Sequence, residues 1–134
     1  MQLRNPVTYK YKAAEVLNQA AAVQNTWYTA LATKINCRVL AIGFQVSVAN
    51  ETIEMRLTID GEVIASNAFA ATAATQYYAD LITSNTAMTL ILANVANQAS
   101  RAFLIEGHSI LLEMRKTTAG GASALQCCTS YEQM

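Results

Sequence analysis

The groups that could do chemistry in this chain are few and scattered. There is one histidine, His108, and the only aspartates are Asp60 and Asp80. Catalysis needs titratable groups that converge. Asp60 precedes Gly61 and is accounted for by a tight turn, because Asp-Gly tolerates the positive φ of a hairpin. His108 follows Gly107 and reads as a surface turn residue. Asp80 follows Tyr77-Tyr78-Ala79 with no second carboxylate nearby, and no serine, cysteine or lysine has a visible base beside it. The three cysteines, Cys37, Cys127 and Cys128, have neither zinc-ligand spacing nor the even count of a disulfide framework. They read as free thiols, small and buried. No catalytic residue, metal ligand or cofactor motif is expected, and the chain reads as a non-enzyme.

One binding chemistry does fit the residue types. Sugar sites pair an exposed aromatic ring with Asp, Asn or Gln that bind hydroxyls. Gln76-Tyr77-Tyr78 with Asp80, and Asn25 with Trp27-Tyr28, have that composition. Trp27, Tyr77, Tyr78 and Asp80 are therefore the candidate ligand surface of a carbohydrate-binding, lectin-like module. The competing reading places Trp27 and one tyrosine of each pair in the core, since adjacent strand residues face opposite sides.

The elements that must position these residues are strands. Residues 52–60 read Thr-Ile-Glu-Met-Arg-Leu-Thr-Ile-Asp, a strict alternation with Ile53, Met55, Leu57 and Ile59 on one face. Asp60-Gly61 turns the chain and Val63-Ile64-Ala65 starts the return. Around this hairpin, strands are expected over 7–12, 26–31, 37–49, 76–82, 86–94, 101–106, 109–117 and 125–132. Residues 12–24 are rich in helix formers but lack a wide apolar stripe, and lean towards strand and loop. Trp27, Thr29 and Leu31 are expected on one face, and so are Leu40, Ile42, Phe44, Val46 and Val48, with Gly43 opposite as a bulge or close approach. The Ala-rich residues 67–75 read as a connection crossing the molecule. With about eight antiparallel strands and almost no helix, the expected fold is all-β: a two-sheet sandwich, jelly-roll-like, as one domain over 1–134 with an N-terminal arm at 1–12.

Composition narrows the partners. Charged residues make up 13% of the chain against a typical quarter, and the formal net charge is zero. Hydrophobic residues reach 53%, yet about two dozen of them are alanine. The deficit in charge is filled by Ala, Thr, Asn and Gln, a surface suited to being covered by neighbouring subunits. A nucleic-acid partner would need several cations to neutralise phosphates, and the only basic cluster is Arg4, Lys10 and Lys12, expected on an edge strand where lysine blocks unwanted pairing. No apolar run approaches the ~20 residues that span a membrane. No charged segment followed by an apolar stretch opens the sequence, so no leader is expected.

Trp27-Tyr28-Thr29, the segment over 51–61 and the closing Leu112-Glu113-Met114-Arg115-Lys116-Thr117 together resemble the small β-sandwich structural proteins of virions, of the capsid decoration (cement), head-fibre or tail type found in DNA viruses and bacteriophages. The resemblance implies a virion structural subunit, made in the host cytoplasm. Its expected partners are itself, with a trimer favoured, and a major capsid protein. A genome-enclosing shell would more often carry a basic inner face, so the neutral charge favours an outer or accessory position. Beside the lectin-like module, a cellular assembly protein is the remaining alternative.

Overall fold

A computed structural model describes residues 12–47, 50–83, 88–94, 105–119 and 123–134. Ten strands follow one another: β1 (Lys12–Gln19), β2 (Tyr28–Ala32), β3 (Cys37–Val46), β4 (Glu51–Ile59), β5 (Glu62–Ala71), β6 (Tyr77–Thr83), β7 (Met88–Asn94), β8 (Ile105–Gly107), β9 (Ile110–Lys116) and β10 (Leu125–Gln133). No helix occurs among the described residues. The expected first strand over 7–12 and the N-terminal arm at 1–12 lie outside them as far as residue 11, as do Arg4, Lys10, Val48 and the Lys12 side chain.

The strands form two antiparallel sheets. One is six-stranded, in the order β1-β10-β3-β6-β7 with β8 also against β3; the other is four-stranded, β2-β9-β4-β5. The pairs β1·β10, β2·β9, β3 with β6 and β8, and β4·β5 make one long two-stranded ribbon. Rolling that ribbon up brings β10 against β3 and β9 against β4, which closes the two sheets over each other. This is jelly-roll connectivity. The strand count exceeds eight because β3's partner is split between β6 and β8, and β7 extends the sheet beyond β6.

The hairpin at 60–61 is as the sequence dictates. Asp60 and Gly61 both take positive φ, 50° and 84°, which suits a two-residue turn to the twist of its strands. Ile53, Met55 and Leu57 are fully buried, opposite Lys116, Met114 and Leu112 of β9. Phe44, Phe69 and Tyr77 close one part of the core as an aromatic cluster, with Phe69 and Tyr77 edge-on at 4.9 Å.

Three expectations are corrected by pairing. Leu40 does not join Ile42, Phe44 and Val46 in the core but is 39% exposed. The ladder matches Ser130 with Ala41 and Tyr131 with Val39, so Leu40 is the extra residue of a bulge and the inward parity switches to Cys37 and Val39. Similarly, Thr29 pairs with Glu113 and Leu31 with Leu112, leaving Ala30 as a bulge on β2. Thr29 then faces out and Leu31 in. Finally, residues 67–71 are not a connection: they continue β5 opposite Glu51–Met55 of β4, with Ala68 and Ala70 exposed and Phe69 turned inward. A long β4 needs a long partner, and alanine on the solvent face does not prevent pairing. Gly43 sits in regular register between Cys128 and Tyr78, so it marks neither a bulge nor a forced approach. Among the described glycines, the one with no room for a side chain is Gly107, where a Cβ would lie 2.6 Å from the Ile59 Cγ2.

All three cysteines are free, but only Cys37 and Cys127 are buried. Cys128 is exposed, because adjacent strand residues face opposite sides. Burial pushes the Cys127 thiol up to about 12. Reaction with a disulfide reagent at neutral pH should therefore show one fast thiol in the native protein and three after denaturation. Fast modification of two thiols in the folded chain would contradict the register of β10.

Candidate functional site

Asp60 and His108, two of the groups that looked chemical, hold turns together. Asp60 Oδ1 accepts from the backbone N–H of Ser109 at 2.8 Å and of His108 at 3.1 Å, tying the turn at 60–61 to the one at 108–109. The His108 Nδ1 lies 3.1 Å from Asn36 Oδ1. Asp80 is 9% exposed and its Oδ1 accepts from the Leu81 N–H at 2.8 Å. Among the described residues, no cluster of His, Cys, Asp and Glu could hold a metal ion.

Of the four sugar-site candidates, Tyr77 is buried in the aromatic cluster, where its hydroxyl accepts from the Thr72 N–H at 2.8 Å. Tyr78 and Asp80 alternate with it and face the other side of β6. Trp27 is on the other sheet. It is half-buried, neither core nor free, over the outer face of the four-stranded sheet. Its ring centre lies 4.2 Å from the Arg56 guanidinium and 4.5 Å from that of Arg115. Beneath it, Arg56 pairs with Glu113 and Arg115 with Glu54, both at 2.8 Å and both directly opposite across β4 and β9. This face is charged but internally neutralised: each guanidinium has its carboxylate and shares the indole. The structure thus brings Tyr78 and Asp80 together on β6, puts Tyr77 inside and leaves Trp27 on the opposite sheet.

The outer face of the six-stranded sheet is of a different kind. One row across it reads Val16, Cys128, Gly43 and Tyr78 from β1, β10, β3 and β6; the next reads Asn18, Gln126 and Gln45. Ala14, Ser130 and Ala41 make a third. Gln45 Nε2 donates to Gln126 Oε1 at 2.6 Å. A shallow groove of about 420 Å³ runs here, lined among others by Val16, Asn18, Gly43, Gln126 and Cys128, with no charged side chain in its lining. Charge returns at one end, where Arg38 bonds Glu132 at 2.6 Å and lies 3.8 Å from Glu106. At the edge, Val16 is 72% exposed. Covering the groove strands no charge, the term that makes burial of polar surface expensive. Sequence reasoning did not single out Val16, Gln45 or Gln126, and it read Cys128 as buried. The signal available was an apolar residue at an outward position of β1.

No protein-family model matches the chain, and no curated protein does. Solved structures similar to it are of viral particles. A chain of the cyanophage Pam1 capsid asymmetric unit covers all of this chain over 94% of its own length, at 9% identity and a TM-score of 0.46. A chain of infectious bursal disease virus, Gx strain, matches 90% of this chain at 15% identity and a TM-score of 0.39. A chain of the T=1 particles derived from the same virus matches 93% at 15% and 0.40. This chain spans about a third of those two, at 33% and 31% of their length. At these values the likeness assigns neither family nor role.

Proposed function

We propose that the chain is a non-enzymatic structural subunit of a virion, a capsid decoration or accessory protein that stabilises the particle through lateral contacts. In this reading it is one sandwich domain with an N-terminal arm at 1–12, made in the host cytoplasm. It self-associates, with a trimer favoured, and sits against a major capsid protein, binding no nucleic acid, membrane, metal or cofactor. The virion setting rests on the sequence resemblance. The observation that carries the structural role is the groove on the outer face of the six-stranded sheet, whose lining of apolar and amide side chains holds no charge. Such a surface desolvates without matched ion pairs, so a repeated contact can cover it.

One observation favours a second reading, a carbohydrate-binding module: Gln126 and Gln45 present amides beside the groove, and Tyr78 lies in the row next to them, on β6 beside β3.

Light scattering of the purified chain through a salt series separates them. Few interfacial charges mean weak salt dependence, so a subunit should give oligomers whose mass barely changes between low and high salt. A monomer at every concentration and salt, with neutral oligosaccharide binding lost on Gln126→Ala, would establish the second reading instead.

A further inference from the structure

The sandwich has sheet edges, and two devices tie them across. Asn67 Nδ2 of β5 donates to the Leu90 carbonyl of β7 at 2.7 Å, joining the edge strands on one side. On the other side, Glu15 Oε2 of β1 accepts from the Ala32 N–H of β2 at 3.4 Å, which occupies part of the β2 edge. The β1 edge itself has no strand against it among the described residues. β1 pairs with β10 in unbroken register from Lys12 to Gln19, with no bulge and no proline, and no charge faces outward from Ala14 to Asn18. Native edges are usually blunted by just those features. Instead, Glu15 sits at an inward position and bonds β2, while Val16, 72% exposed, stands outward at the centre of the strand.

We propose that β1 is a self-pairing edge: two copies of this chain join antiparallel through β1, on a twofold axis that passes between Val16 of one copy and Val16 of the other. This rests on the assembly reading above and names one of its contacts. The register follows from the sequence of β1. Residues opposite each other across antiparallel strands share a face, so a twofold pairing must place some residue opposite itself. Centring on Glu15 sets two carboxylates against each other, which is unfavourable. Centring on Ala14 or Leu17 leaves more of β1 unpaired. Centring on Val16 runs Ala13 to Gln19 of one copy opposite Gln19 to Ala13 of the second. Ala14 then faces Asn18, Glu15 faces Leu17, and no like charges meet. Both outward faces lie on the same side, so the uncharged surface continues from one copy to the next. A contact of this kind links trimers in pairs; it does not build them.

Cysteine cross-linking reads the register directly. Val16 lies opposite Cys128 in its own chain, so the variants are made in a Cys128→Ser background to exclude a bond within the chain. Opposed residues of an antiparallel pair are within disulfide reach. On oxidation with copper phenanthroline, Val16→Cys should give a covalent dimer. A mixture of Ala14→Cys and Asn18→Cys chains should cross-link to each other, and neither should do so alone. Val16→Lys, at an exposed position that leaves the circular dichroism unchanged, should weaken the pairing roughly tenfold by setting two ammonium groups on the axis. Cross-linking of Ala14→Cys alone as efficient as that of Val16→Cys overturns the register. Absence of any Val16→Cys dimer while light scattering still reports oligomers overturns the edge contact and leaves the assembly reading intact. A monomer in light scattering removes both.

Discussion

Lys116→Ala should destabilise the fold by about 3–5 kcal/mol, the cost of leaving one member of a buried ion pair alone. The Lys116 and Glu51 side chains are each 2% exposed, with Nζ 3.6 Å from Oε1. Lys116 ends β9 on the inward face shared by Ile110, Leu112 and Met114, and Glu51 opens β4 on its inward face. The other carboxylate oxygen, Glu51 Oε2, is buried without a hydrogen-bond partner. The carboxylate therefore depends heavily on the ammonium, and truncating Lys116 leaves a charge in low dielectric. Urea unfolding followed by the fluorescence of the single tryptophan measures the loss. Removing both charges in Lys116→Met with Glu51→Leu should recover most of it, because a buried pair is commonly matched by apolar residues of similar volume. A loss below about 1 kcal/mol in the single variant would mean that water reaches the pair. A double variant as weak as the single one would show that the remaining contacts of Lys116, and not its charge, matter.

Leu57→Ala should cost about 2–5 kcal/mol through the lost transfer free energy and the cavity left behind. Leu57 is 0% exposed in the middle of β4, opposite Leu112 of β9 on one side and Ala65 of β5 on the other. Neighbours held on both sides by ladders cannot easily collapse into the space. Chemical denaturation should show a lower midpoint with an unchanged slope. An effect within the ±0.5 kcal/mol of ordinary surface substitutions would mean that β4 does not bury this face, and would falsify the register of the sandwich.

Much of this architecture is legible in the chain. The alternation over 52–60 and the Asp60-Gly61 turn dictate a hairpin with a defined inward face, because side chains on a strand alternate and only a few residues accept positive φ in succession. The inward parity of Ile110, Leu112 and Met114 likewise runs on to Lys116, so its burial was implicit in the spacing. The low charge dictates a surface of alanine and amides whatever the fold.

What the sequence could not decide depends on partners far along the chain. Nothing local in Ala30 or Leu40 marks a bulge; each exists because the strand opposite, β9 or β10, is one residue shorter there. That insertion turned Leu40 outward and separated Trp27 and Thr29 from Leu31. Of the candidate sugar residues only Tyr78 and Asp80 share a face of one strand, alternation turned Tyr77 inward, and strand order set Trp27 and Tyr78 on different sheets. Val16 became a surface feature only because rolling the ribbon left β1 at a sheet edge, with Cys128 and Gly43 beside it. A period of two determines which residues share a face; which faces and edges remain uncovered is settled only when the sheets close.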